Sequence, residues 1–178
     1  NAGLNGLALS AFSQAARLDP AYRSRADRLQ RFLLTRLVRE GRLMKSMARG
    51  QVLPHAELED YAYVVQGLLD HAEATGNRQS RDRALQLARV AWKSFWSEKG
   101  WKHEARPLLA TLQAEPALAD GALYSPSEVL ILGTLRLQDP ALQRLARTAA
   151  GWRVPAMERD AYVYPTRVRV LTQAQPGA

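Results

Sequence analysis

Two acidic residues and a tyrosine stand side by side where one apolar helical pattern begins. They are Glu59, Asp60 and Tyr61, in the stretch LEDYAYVVQGLLDHAEATGN at 58–77. A carboxylate held at one position can donate a proton to a bound substrate or accept one from it. Carboxylates in the first turn of a helix also stabilise that helix, because they face the positive end of its dipole. The sequence alone leaves both interpretations open: these acids are a structural helix cap, or they are catalytic residues of an active site.

Further residues with chemical potential lie in the predicted loops. His55 precedes the same helix, and Asp120 and Tyr124 belong to a later connection. Trp101 is predicted to be an exposed aromatic platform, on which a sugar ring could stack. The chain has no Gly-rich phosphate loop and neither the GxSxG nor the HExxH motif. These residues therefore extend one candidate site and introduce no second chemistry.

The remaining histidines do not point to a metal centre. His71 is expected to be a surface or helix-end histidine, and His103 lies in a predicted loop. Neither has another histidine or carboxylate at the spacing that zinc ligands usually show. We therefore expect no metal site and no cofactor.

The charge balance raises the question of a nucleic-acid partner. The 178 residues include 25 lysines and arginines against 17 acidic residues, for a formal charge of +8. The arginines are spread along helix faces without interleaved aromatic residues, which a base-stacking surface requires. We therefore expect solvated basic faces, and nucleic-acid binding stays a minor alternative that a steep fall of affinity with salt would indicate.

Composition excludes two further classes of function. The chain contains no cysteine, so it has no disulfide, thiolate metal site or redox pair. No apolar run approaches the length that crosses a bilayer, and the first residues lack the features of a signal peptide. The expectation is a cytoplasmic protein without a membrane partner.

The dominant period of the apolar residues is helical. Apolar positions recur at i, i+3 and i+4, and Asp-Pro pairs at 19–20 and 139–140 break the pattern. Short links within pairs predict antiparallel helical hairpins. Ser125, Pro126 and Glu128 have the spacing of a capping box. The predicted helices cover about 4–18, 20–38, 58–75, 78–97, 125–137 and 140–151, with short strands at 42–47 and 167–171.

Five blocks of the sequence, in order, carry a resemblance to a known family. They are LNGLALSAFSQAARL, GRLMKS, LEDYAYVVQGLLDHAEATGN, FWSEKGW and DGALYSPSEVLILGTLRL. Together they resemble the helical region of large proteins with an N-terminal thioredoxin-like domain, the group of the spermatogenesis-associated thioredoxin-domain protein. That region is similar to six-hairpin (α/α)6 glycosidases and to N-acylglucosamine 2-epimerases.

The resemblance implies an all-α fold: about half of an (α/α)6 toroid. Residues 1–152 would form the C-terminal part of the toroid domain, and 153–178 an irregular tail with a short edge strand. In the similar sugar enzymes, acids at the ends of inner helices protonate a glycosidic oxygen or activate a water. The implied site has Asp60 and Glu59 as catalytic carboxylates, with Tyr61, Asn5, Asp120, Tyr124, Trp101 and His55 around the ligand.

The implied function is a sugar-binding or sugar-modifying module, epimerase-like or glycosidase-like. The alternative is a non-catalytic helical scaffold for protein–protein interaction. A sugar site needs several polar groups on one concave face, whereas a scaffold needs an exposed apolar patch. The expected partners are accordingly a carbohydrate, a second copy of the chain, or a thioredoxin-like domain.

Overall fold

The computed structural model describes residues 1–97, 100–102, 120–152, 157 and 161–174, and these are mostly helical. His103 lies outside the described residues. The helices are α1 (Ala2–Leu18), α2 (Arg23–Phe32), α3 (Leu58–Thr75), α4 (Arg78–Phe95), α5 (Pro126–Leu135), α6 (Pro140–Ala150) and α7 (Pro165–Gln173). Short 3-10 turns occupy Pro20–Tyr22 and Ala161–Val163, and α2 continues as a π-helical turn at Leu33–Leu37.

The strands are short and form three two-stranded antiparallel ribbons in the connections. β1 (Val38–Arg39) pairs with β2 (Arg42–Leu43), β3 (Ser46–Ala48) with β4 (Gln51–Leu53), and β5 (Trp96–Ser97) with β6 (Gly100–Trp101). The strand predicted around 42–47 is thus divided between two ribbons. The all-α class predicted from the sequence is confirmed by this architecture.

Local sequence signals account for the ends of the helices. The Asp139 carboxylate accepts hydrogen bonds from the Ala141 and Leu142 amides at 3.0 Å, with Pro140 in the first turn of α6. Gly76 ends α3 with φ +73°, the left-handed conformation that glycine adopts without a steric cost. Ser125 occupies the N-cap position of α5, but its side chain makes no capping hydrogen bond.

Helix α3 lies between α1 and α5 and runs parallel to both. Along α1, Gly3, Ser10 and Arg17 bond in the same order to Asp60, Asp70 and Glu73 of α3. Along α5, contacts of Tyr63 with Tyr124 and of Asp70 with Arg136 follow the same direction. Each of the three helices is joined by a short connection to an antiparallel neighbour, α2, α4 or α6. We call the end at which α1, α3 and α5 begin the amino end.

The backbones of α1 and α3 touch because both helices have glycine at the crossing. A Cβ atom on Gly6 would lie 2.5 Å from the Tyr63 carbonyl carbon, and one on Gly67 would lie 2.4 Å from the Gly6 carbonyl oxygen. Gly6 therefore serves the packing of α1 against α3.

Helix α7 occupies the segment predicted to be an edge strand, so that prediction is wrong. Alternating Arg and Val at 167–170 is compatible with a strand, but Thr166, Arg167 and Val170 are buried at helical spacing. Pro165 stands in the first turn, and the Thr166 amide donates to the Asp120 carboxylate at 2.8 Å. Long-range contacts therefore decided the conformation of this segment.

Arg167 attaches α7 to the core. Its guanidinium donates to both carboxylate oxygens of Glu128, at 3.1 and 3.3 Å. It also donates to the carbonyl oxygens of Ala149, Ala150 and Trp152 at the end of α6. Both charged side chains are almost completely buried. One arginine thus satisfies the last carbonyls of α6 and the acid in the first turn of α5.

Candidate functional site

Asp60 is a structural link between two helix starts. It is fully buried, and its Oδ1 accepts a hydrogen bond from the Gly3 amide at 2.9 Å. Its Oδ2 accepts from the Glu57 amide at 3.1 Å. Burial raises the pKa of this carboxyl, and the two backbone amides act in the opposite direction. The geometry agrees with the cap interpretation and leaves neither carboxylate oxygen of Asp60 facing solvent.

A second set of charges surrounds this link at the amino end. The Lys45 ammonium bonds to the Glu57 carboxylate, and the Lys45 carbonyl oxygen accepts from the Ala2 amide at 2.7 Å. The pKa of Lys45 is raised, chiefly by the hydrogen bond to Glu57, with smaller effects from Asp60 and Glu59. Glu59 therefore stands among charged groups at the amino end, and it is partly exposed where Asp60 is not.

Tyr63 is a site residue that sequence reasoning missed. Its hydroxyl donates to the Tyr124 carbonyl oxygen at 2.6 Å. Burial raises its pKa to about 12, and the negative charges of Glu59 and Asp120 add to the effect. The phenol thus brings the start of α3 and the segment before α5 together. The spacing of four residues between Glu59 and Tyr63 was the available signal, because it puts both on one helix face.

Asp120 holds the approach to α5 against α7. Its carboxylate accepts hydrogen bonds from the Ser125 amide at 2.7 Å and from the Thr166 amide and hydroxyl at 2.8 and 2.5 Å. Tyr124, beside it, is 61% exposed. Of these two predicted site residues, Asp120 uses its carboxylate in structural hydrogen bonds, whereas the ring of Tyr124 faces solvent.

One face of α3 carries polar side chains along its whole length. The positions are spaced by four and three residues in alternation, which places them on one side of a helix. Serine and arginine side chains of α1 border this face, and Arg136 borders it from the end of α5. We call it the polar face of α3: Glu59, Tyr63, Gln66, Asp70 and Glu73.

The side chains of the polar face differ in how far their hydrogen-bonding atoms have partners. Asp70 is buried and accepts from Ser10 and, at 2.6 Å, from Arg136. Glu73 bonds to Arg136 at 2.8 Å and to Arg17 at 3.1 Å, and these cations lower its pKa against the effect of burial. The Gln66 Oε1 atom is buried, and no hydrogen-bond donor reaches it in the described part of the chain. Gln66 is therefore the group of this face with unused hydrogen-bonding capacity.

Three other predicted site residues are not part of the polar face. The Tyr61 hydroxyl accepts from the Leu43 amide at 3.0 Å, and its ring packs on Phe95 of α4. The Asn5 side-chain amide donates through Nδ2 to the Asn1 carbonyl oxygen at 2.6 Å within the first turn of α1. His55 is exposed with φ +62° in the loop before α3. Tyr61 thus packs toward α4, and Asn5 and His55 sit at element ends.

Trp101 is buried, so the exposed platform predicted for it is wrong. It is 6% exposed, and its ring centroid lies 4.9 Å from those of Trp92 and Trp96. Trp152 contacts Trp96 at 5.7 Å. Residues distant in sequence assemble this cluster, which spacing alone could not reveal.

His71 was expected at the surface but is 1% exposed, and it joins three helices. Its Nδ1 lies 2.9 Å from the Ser80 hydroxyl and its Nε2 lies 2.9 Å from the Asp27 carboxylate. These residue types occur in hydrolytic triads. However, Ser80 is completely buried and its hydroxyl also accepts from Gln30 at 3.2 Å. No substrate can reach this hydroxyl, so the arrangement is a buried structural network.

The described residues contain no group of three or more acidic or histidine side chains placed to hold a metal ion. The same part of the chain has no helix both long and apolar enough to cross a membrane. A scan against protein-family models finds no match for the chain. A search of curated proteins likewise finds no similar sequence.

Proposed function

We propose that this chain is a carbohydrate-binding or carbohydrate-modifying module whose ligand lies on the polar face of α3. The observation that carries the proposal is this face itself, bordered by α1 and α5. Sugar sites need several polar groups converging on one surface, with an apolar or aromatic element beside them. Glu59 and Glu73 supply carboxylate acceptors, Gln66 supplies its side-chain NH₂ donor, and the exposed Tyr124 ring lies at the amino end.

The order of the helices supports the half-toroid in which such a face would be concave. In an α/α toroid, inner helices are parallel neighbours, and each is followed by an outer antiparallel helix. The described helices have the same order: α3 runs parallel to its neighbours α1 and α5. Each of these three helices is followed by an antiparallel one, namely α2, α4 or α6. In the proposed ring, the polar face of α3 is turned toward the centre.

Glu59 is the carboxylate we assign to the ligand, in place of Asp60. The two residues are adjacent, but Asp60 is fully buried and both of its oxygens accept backbone hydrogen bonds. Glu59 is partly exposed and begins the polar face. Asp60 is thus a positioning residue, because its carboxylate links the start of α1 to the start of α3, where Glu59 lies.

The spacing of the acids favours binding over hydrolysis by a carboxylate pair. Glycosidases hold two carboxyl groups roughly 5–9.5 Å apart. Glu59 and Glu73 are 14 residues apart in one helix, which is about 21 Å at 1.5 Å per residue. Asp70 and Asp120 are engaged by other side chains and amides. We therefore propose recognition through Glu59, Gln66 and Glu73, without assigning a paired acid and base among the described residues.

A titration of the whole chain with a panel of monosaccharides and disaccharides tests this function. One sugar class should raise the melting temperature and bind in calorimetry. Glu59→Gln and Gln66→Leu should each weaken that binding while keeping the approximate shape of the polar face. The first removes a negative charge and exchanges one acceptor oxygen for an NH₂ donor, and the second removes the side-chain amide. Asp82→Asn, on the exposed side of α4, is the matched control and should bind like the wild type.

Two outcomes would oppose the proposal. Absence of binding by any sugar, down to a Kd of about 10 mM or roughly −3 kcal/mol, would favour the scaffold alternative. Binding that survives both polar-face substitutions would place the ligand elsewhere on the chain.

A further inference from the structure

The side of α1 turned away from α3 is apolar and exposed. Leu4 is 58% exposed, and Leu18, the last residue of α1, is 91% exposed. Ala8, Ala11 and Ala15 lie between them at spacings of four and three residues. A second helix packs along residues with this spacing.

Helix α2 turns this apolar side into a groove. The groove has a volume of about 420 Å³ and is lined by Ala8 and Phe12 of α1 and by Arg25, Arg28 and Leu29 of α2. Its floor is thus apolar, and its border toward α2 is cationic. An amphipathic helix binds such a groove through apolar side chains at i, i+3, i+4 and i+7.

The two arginines specify the charge of the occupant. Arg25 lies over the Phe12 and Tyr22 rings, with its guanidinium carbon 5.8 and 5.6 Å from their centroids. Within the described ranges, neither Arg25 nor Arg28 forms a salt bridge with a carboxylate. Stacking on the rings holds Arg25 at the border of the groove. Two exposed cations without counter-ions, beside an apolar floor, are complementary to carboxylates on the rim of a partner.

We infer that the α1–α2 groove is a docking site for an acidic amphipathic helix of a partner protein. The partner helix places leucine-type side chains along Leu4, Ala8 and Ala11, and its flanking glutamates or aspartates meet Arg25 and Arg28. This surface is separate from the polar face of α3 and does not depend on the carbohydrate proposal. A second copy of the chain fits less well, because the formal charge of +8 makes two copies repel one another.

Fluorescence anisotropy with a labelled helical peptide tests the inference. The probe is a stapled peptide of roughly 18 residues, or about 27 Å of helix, with leucines at i, i+3, i+4 and i+7 and glutamates on both flanks. A matched peptide carries lysine at every glutamate position. The acidic peptide should bind at least about tenfold more tightly than the lysine peptide, and its affinity should fall with added salt.

Variants of the exposed positions locate the site. Combined Arg25→Glu and Arg28→Glu should reverse the preference between the two peptides, and Ala11→Arg should weaken both. Arg81→Glu on α4 makes a similar change of charge outside the groove and should leave the preference as it is. Glu59→Gln should not affect peptide binding, so failure of the carbohydrate proposal is distinguishable from failure of this one.

Equal affinity for the two peptides, or a preference unaffected by the double charge reversal, would overturn the inference. Sedimentation that reveals a dimer abolished by Ala11→Arg would also overturn it, since the groove would then be occupied by a second copy.

Discussion

Replacing Asp60 distinguishes a structural carboxylate from a catalytic one. Asp60→Ala removes the acceptors of the Gly3 amide, which is buried, and of the Glu57 amide, which is partly buried. Asp60→Asn keeps one acceptor oxygen but places an NH₂ group where the second amide donates. We therefore expect stability to decrease in the order wild type, Asp60→Asn, Asp60→Ala.

The size of the effect follows from these two hydrogen bonds. A buried donor left without an acceptor costs about 1–3 kcal/mol, and the partly buried amide costs less because water can replace its partner. Burial disfavours the charged form of Asp60, as its raised pKa shows. Removing this charge therefore recovers part of the free energy that is lost with the two hydrogen bonds. The net expectation for Asp60→Ala is about 1–4 kcal/mol. For a chain of this length, that lowers the melting temperature by roughly 3–12 °C.

Thermal unfolding followed by circular dichroism measures this order directly. Glu59→Gln is the control, because the same carboxylate-to-amide change at the adjacent, partly exposed position should destabilise the chain less than Asp60→Asn does. In the sugar titration, well below its melting temperature, Asp60→Asn should bind like the wild type while Glu59→Gln should not. If Asp60→Asn melts at the wild-type temperature but no longer binds the sugar, the reasoning is refuted and Asp60 contacts the ligand.

Two further substitutions test the packing and the buried charges. Gly67→Ala should destabilise the chain by about 1–3 kcal/mol in urea unfolding, because its Cβ would lie 2.4 Å from the Gly6 carbonyl oxygen. Gly121→Ala, with no atom of the described residues within 4 Å of its Cβ, should unfold like the wild type, and equal midpoints for both variants would contradict the close helix contact. Burial raises the pKa of Glu128 to about 7 against the opposing effect of Arg167. The folded chain therefore holds a proton that the unfolded chain releases, so this contribution to stability is complete below about pH 4.5 and is lost as the pH rises through 7. Glu128→Gln should flatten the decline in stability between pH 5 and 8, and parallel curves for variant and wild type would oppose this assignment.

Much of the local structure could be predicted from the sequence. The six predicted helices are present within a few residues of their expected bounds. The cap interpretation of Asp60 was available from its position in the first turn. These signals act over a few residues, because apolar spacing, proline, glycine and capping side chains each favour a conformation of the neighbouring backbone.

The candidate site was only partly accessible to the same reasoning. The sequence pointed to the start of α3, but not to Tyr63, whose hydroxyl partner lies 61 residues away. It also placed Trp101 in solvent and His71 at the surface, although both are buried. Their partners come from other helices, so no periodicity within one segment predicts them.

The sequence by itself therefore determined the helical class, the hairpin order and the presence of acids at the start of α3. Only the tertiary structure decided what those acids do: Asp60 is enclosed between two backbone amides, while Glu59 remains on the polar face. It also made a helix of the alternating segment at 167–170, because Arg167 and Glu128 could be buried only together. The physical reason is the range of the forces. Propensity and capping act along the chain, whereas burial of a charge depends on partners that folding alone brings near.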